Sequence, residues 1–288
     1  MTTMPSLQRR LRSAVDELVG TGAETGLQVA VHHRGVLVAD AVAGVADSRS
    51  GRPVTARTPF FGFSAGKMTT SLIAHLLVRD GEIGYETPLV DVWPEFGRHG
   101  KAATTLRHVL THTAGLPAMP RTIGPAALTD PVRVCAALAD AVPRWAPGTE
   151  TGYHAYTYGF LVGEIARRVT GKPMHRLLHE RICEPLGLVG ELYFGMPRSA
   201  LPRPARLEDD APPAPVAPDD DAVLAPWERQ PVAALGNSPG IQQADIPSVG
   251  IFTARAMAAM NAAVLDGRLI GTAQLERLTA VAFDGTDR

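Results

Sequence analysis

Only two cysteines, Cys135 and Cys183, occur in the 288 residues, and they show no CxxC or zinc-type spacing. Nothing in their placement points to a metal or redox site, and buried small apolar side chains account for both. The nine histidines form no HExxH or comparable cluster, so no metal is expected. Charge imbalance is missing too. Lys and Arg number 28 against 29 Asp and Glu, a net charge of −1, which makes no electrostatic case for nucleic acid or an anionic membrane. No apolar run approaches a membrane span, and the stretch Met1 to Arg10 lacks the apolar core of a signal peptide. A cytoplasmic protein is the resulting expectation. Lysine is scarce beside arginine, a coding bias rather than a functional signal.

What is present begins with periodicity. The length fits one large domain or two lobes and suffices to bury a substantial core. Leu11 to Val19 reads as an amphipathic helix that packs on a sheet. Gly26 to His33 and Val36 to Val42, joined at Arg34-Gly35, read as a tight two-stranded hairpin. Met68, Leu72, Ile73, Leu76 and Leu77 then recur at helical spacing, with Gly81 as the stop. Further helices are predicted over Leu106 to Thr113, Pro131 to Ala141, Tyr158 to Thr170 and Met174 to Cys183.

The long helix opens on Ser64, with Lys67 one turn further on. A serine hydroxyl keeps its proton near neutral pH and is a poor nucleophile unaided. An amine at i+3 lies on the same helical face and can help remove that proton. With nine serines and three lysines in the chain, the spacing alone is a modest signal. The plain alternative is an N-cap serine followed by a solvated lysine. Against it stands the apolar face of the same helix, which places Lys67 at a boundary where partial desolvation lowers its pKa.

Four passages together carry a family resemblance. They are the hairpin, Phe63-Ser64-Ala65-Gly66-Lys67, the run Thr105 to Pro117, and Pro147-Gly148-Thr149 with Tyr153. A softer fifth is Pro247-Ser248-Val249-Gly250 leading into Thr253 to Ala258. The chain resembles the serine β-lactamase and penicillin-binding-protein superfamily, in the class C β-lactamase-like branch that holds family VIII esterases and transacylases. The resemblance runs from about Leu27 to Asp266. It implies an α/β (α+β type) fold, an antiparallel sheet flanked by helices with an inserted helical lobe. It implies catalysis by Ser64, Lys67 and Tyr153 without a cofactor. Tyr153 would be the phenolate-like proton shuttle, its pKa lowered by a nearby Lys67 ammonium. The expected partner is a small-molecule ester or acyl donor, and a homo-oligomer is possible.

Two departures shape the functional expectation. Ala155 stands where lactamases carry an asparagine, so the amide that would bind a substrate amide is missing, which favours esters over β-lactams. The third motif, Lys-Thr-Gly or its His- or Trp-containing variants, has no match after Tyr153. The strands that carry it are therefore expected to be missing, which leaves the hairpin as an open ribbon and the faces of the hairpin and the Ser64 helix without partners. The chain then reads as part of a longer parent. The resulting division is 1–82 for the first part of the α/β lobe, 83–240 for the helical lobe and 241–288 for an incomplete return.

Other residues carry weaker readings. His154, beside Tyr153, is a candidate to tune the tyrosine or line the acyl pocket. His108 and His112 read as structural imidazoles near a helix end. The Pro- and Asp-rich stretch 201–221 should run extended over the surface as a connection, or as a lid with Trp227 as an apolar wall of the substrate site. The reading reached is a serine-dependent esterase or transacylase acting through an acyl-enzyme on Ser64. The alternatives are a non-catalytic penicillin-binding-like module or pseudoenzyme, or a β-lactamase.

Overall fold

Arg34 and Gly35 both adopt positive φ, +52° and +76°, the two-residue turn whose twist matches that of the strands it joins. It links β1 (Gly26–His33) to β2 (Val36–Asp47), which pair antiparallel with Val29 opposite Ala41 and a bulge at Val31/His32. Helix α1 (Met4–Gly20) lies across β2 and buries Val15. The Gln8 side-chain amide both donates to and accepts from the Asp40 backbone, occupying part of the β2 edge as a strand would. A two-residue strand β3 (Arg52–Pro53) pairs with the far end of β2, so the hairpin is not a bare ribbon.

This computed structural model describes residues 4–211, 224 and 226–288. After β4 (Phe60–Phe61) come α2 (Gly66–Arg79), α3 (Leu106–Leu110), α4 (Pro131–Asp140), α5 (Thr157–Thr170), α6 (Met174–Leu178) and α7 (Glu184–Leu186). There follow β5 (Leu192–Tyr193), the short helices α8 (Pro226–Arg229), α9 (Ala233–Gly236) and α10 (Pro239–Gln243), then β6 (Ile251–Phe252), α11 (Ala254–Leu265) and α12 (Thr272–Thr279). A second small antiparallel sheet has the order β4-β6-β5. The architecture is thus mixed α/β with antiparallel sheets flanked by helices.

The expectation that the Ser64 helix would lack partners is corrected. Leu72, Ile73, Leu76 and Leu77 of α2 are all buried, packed in one cluster with Leu161 and Ile165 of α5 and Leu177 of α6. Helix α11 covers β1, where Ala254 N–H donates to Gln28 Oε1 at 2.9 Å. Two predicted helices are shorter than their patterns. The one from Leu106 ends at Leu110 because His112 turns to φ +59°. The one from Met174 gives way after Leu178 to a π turn, His179–Cys183.

Of the stretch 201–221, residues 212–221 lie outside the described residues. Its beginning is anchored rather than running free over the surface. Ala205 and Arg206 donate to Pro59 and Ala46 carbonyls, and the Asn237 amide brackets both backbone groups of Leu207. Both cysteines are buried with their thiol pKa raised by desolvation, Cys183 to about 12, which leaves them unreactive. No helix among the described residues is long and apolar enough to cross a membrane.

Candidate active site

Ser64 occupies a single 3-10 turn, Phe63–Ala65, that feeds α2, and its side chain is exposed. Phe63 ahead of it holds φ +44°, a left-handed conformation that costs a phenylalanine of order 1 kcal/mol. The strain is sustained by neighbours. Gly62 N–H donates to Gly250 O at 2.8 Å, and Phe60–Phe61 pairs with Ile251–Phe252 on the same strand. The first hydrogen bond of the turn runs from Ala65 N–H to Gly62 O, at 3.1 Å. The Ser64 N–H precedes it and meets no backbone carbonyl among the described residues.

Lys67 is 8% exposed, with Nζ 2.9 Å from Ser64 Oγ and 3.2 Å from the Ser248 carbonyl it donates to. Burial alone lowers its pKa to about 7. A neutral amine keeps one N–H on Ser248 and has a lone pair for the Ser64 proton. Tyr153 is exposed and its ring centroid lies 4.9 Å from Lys67 Nζ. The structure thus brings Ser64, Lys67 and Tyr153 together although 89 positions separate Ser64 from Tyr153 along the chain.

His112 stands behind Tyr153, with ring centroids 5.2 Å apart, and against Tyr158 at 4.9 Å. Its Nδ1 accepts the His154 N–H at 3.1 Å. Burial, then the Lys67 charge, lowers its pKa to about 4, so the ring is neutral. His108 is held at its helix start, where Nδ1 accepts the Thr105 N–H at 3.1 Å in a capping box.

The reading of His154 as a pocket residue is corrected. Its side chain is fully buried, Nε2 accepts the Leu116 N–H at 3.1 Å, and Nδ1 bonds the Gly152 carbonyl at 2.6 Å. Both ring nitrogens are engaged with backbone, and burial lowers the pKa to about 3. His154 therefore ties the Tyr153 loop to the Gly115-Leu116 turn and faces no substrate. Trp227 is not in the same cluster as Ser64 and Lys67. Its ring packs on Tyr156 at 5.1 Å and lines a largely apolar cavity of about 580 Å³ with Val232, Leu235 and Ile241. Glu228 beside it accepts the Met119 N–H at 3.2 Å, which anchors the short helix.

Ser248 is the residue that sequence reasoning missed. Its hydroxyl donates to the Tyr156 carbonyl and accepts the Gly159 N–H, while its own carbonyl holds Lys67. The segment threads between α2 and α5 so closely that a Cβ on Gly66 would lie 2.4 Å from Gly250 N. One on Gly159 would lie 2.1 Å from Ser248 N. Those two glycines are therefore needed for the approach. The resemblance had pointed to Pro247-Ser248-Val249-Gly250, but nothing local marks its serine as the link between Lys67 and the Tyr156 turn.

The site thus sets a serine on a strained turn beside a desolvated lysine and a tyrosine ring, at the head of a buried helix in a mixed α/β frame. The chain belongs to the Beta-lactamase family, whose sequence profile matches residues 11–288. It is 35% identical over 259 residues to Esterase/beta-lactamase LipL of Mycobacterium tuberculosis, covering 84% of this chain and 59% of that protein. The chain thus spans about three-fifths of that relative. Among solved structures it is similar to a penicillin-binding protein homolog from Caulobacter crescentus. That match has a TM-score of 0.85 at 34% identity, over 97% of this chain and 76% of the other. It is also similar to a family VIII carboxylesterase, with a TM-score of 0.86 at 29% identity over 96% and 76%.

Proposed function

We propose that this chain carries the nucleophile of an esterase or transacylase that acts on small-molecule esters through an acyl-enzyme on Ser64. The observation that carries this is the 2.9 Å contact between Ser64 Oγ and a Lys67 amine whose pKa burial brings to about 7. Near neutral pH a substantial share of that amine is unprotonated, which is what a general base requires.

In the first half-reaction Ser64 Oγ attacks the ester carbonyl carbon as its proton passes to Lys67 Nζ. The Ser64 N–H donates to the oxyanion that forms. Collapse breaks the bond to the alkoxide, which leaves with a proton delivered by Lys67 through the Tyr153 hydroxyl. Water or an acceptor alcohol then attacks the acyl carbon along the reverse proton path and frees Ser64. The buried Ala155 offers no amide to a substrate amide, which supports esters over β-lactams. The esterase names of the relatives agree with this reading.

The test is colour release from a short-chain p-nitrophenyl ester, with intact mass, on the protein and on Ser64→Ala. Turnover and an acyl adduct on the protein, both absent in Ser64→Ala, are the expected result. Turnover that survives Ser64→Ala ends the proposal. An added acceptor alcohol that diverts product to a new ester marks the transacylase form.

A further inference from the structure

A cavity of about 450 Å³ lies between α2, the turn after α3 and the chain from Arg277 to Gly285, with His112 but not Tyr153 in its wall. The described side chains that line it include Arg107 and Arg277 but no aspartate or glutamate. Arg107 is paired with Glu86 on its exposed side, at 2.5 Å. Arg277, exposed on α12, has no carboxylate partner among the described residues.

Both imidazoles in the wall have Nδ1 engaged by a neighbour. His112 Nδ1 accepts a backbone N–H, so its proton is on Nε2. His75 Nδ1 lies 2.7 Å from the Tyr85 hydroxyl, which itself accepts from Gln274 Nε2 at 3.0 Å. The phenol thus engages His75 Nδ1, while no bond to a described residue takes up His75 Nε2. Burial lowers both pKa values to about 4, which keeps the rings neutral. Both rings line the cavity beside two guanidinium groups, of which that of Arg107 is paired with Glu86 and that of Arg277 is not paired among the described residues. A wall that offers donors and positive charge without a carboxylate suits one kind of ligand, a compact oxyanion.

We propose that this cavity is a second ligand site that binds a small carboxylate or phosphate through Arg277 and Arg107, with His75 and His112 in its wall. The site does not depend on the chemistry at Ser64. His112 lies between the two, in the wall of this cavity and 5.2 Å, ring centre to ring centre, from Tyr153.

The experiment is a calorimetric titration of the protein with sodium benzoate and, separately, with inorganic phosphate, repeated on Arg277→Gln and Arg107→Gln. Imidazole ¹⁵N spectra are recorded at saturation. Expected is one saturable site for at least one probe, weakened about tenfold or more by Arg277→Gln, with shifted resonances for His75 and His112. Whether benzoate or phosphate binds tighter identifies the source of the oxyanion. Arg277 is exposed, so its glutamine variant should keep the fold, and a matching melting curve checks this. No saturable binding of either probe overturns the proposal. So does binding that neither arginine variant alters, because the anion then sits elsewhere.

Discussion

Lys101 and Lys67 are both buried, yet their partners differ. Lys101 is fully buried and its Nζ donates to three carbonyls, those of Arg98, Ala139 and Ala141. Three donors meet three acceptors, the full complement of an ammonium. Lys67 has one carbonyl, that of Ser248, and the Ser64 hydroxyl. Desolvation lowers both pKa values, in Lys101 against the opposing charge of Asp140. The difference teaches that burial alone does not make a base. A lysine whose hydrogens all have carbonyl acceptors is a structural staple. One that faces a hydroxyl has somewhere to take a proton from.

The comparison breaks most sharply at Lys67. Lys67→Met should lower kcat/KM for an ester by about 10²–10⁴-fold, the range of a lost general base, without lowering the melting temperature, since the desolvated amine it removes opposes folding near pH 7. Ester kinetics beside a melting curve check this, and an active Lys67→Met would refute the contrast. Lys101→Met should do the reverse. Three buried carbonyls lose their donor, so stability should fall by roughly 3 kcal/mol or more, with kcat/KM of the folded fraction unchanged. Urea unfolding measures it.

The pH dependence sharpens the same point. With the Lys67 pKa at about 7, the amine is protonated below that pH and cannot accept the Ser64 proton. Acylation should therefore rise about tenfold per pH unit below 7 and level off above it. Folding should respond in a higher window. From about 7 up to the ordinary 10.5 the unfolded lysine holds a proton that the folded one lacks, so stability should strengthen as pH rises. A profile flat from pH 5 to 8 would remove Lys67 as base. The smallest effect belongs to Ser248→Ala. Its hydroxyl makes one bond to Tyr156 O and one from Gly159 N–H, so about 1–2 kcal/mol of stability should go. The acid limb of the rate profile should also shift, because the carbonyl on Lys67 is held by those bonds.

Much of the frame was legible because it is local. Arg34-Gly35 between two β-branched runs specifies a turn, and the apolar spacing from Met68 to Leu77 specifies a buried helix face. Ser64 and Lys67 share that face by the geometry of any helix. The misreadings arose where distant backbone competes for a side chain. His154 looks like a site residue because it follows Tyr153. Its nitrogens are taken instead by Gly152 and by Leu116, 38 positions away. The helix from Leu106 reads as eight residues by pattern, but His112 leaves it at positive φ, with its ring against Tyr153 and Tyr158.

The amino-acid order was enough to bring the proposed nucleophile Ser64 and Lys67 side by side, since an i+3 pair needs only a helix to meet. It could not say whether that lysine would be an ammonium or an amine. That depends on how much water the fold removes and on which acceptor faces Nζ. The acceptor is a carbonyl 181 positions away, brought in only because two glycines let three backbones come together. Proton affinity is set by surroundings, and the surroundings of Lys67 exist only once the chain has folded.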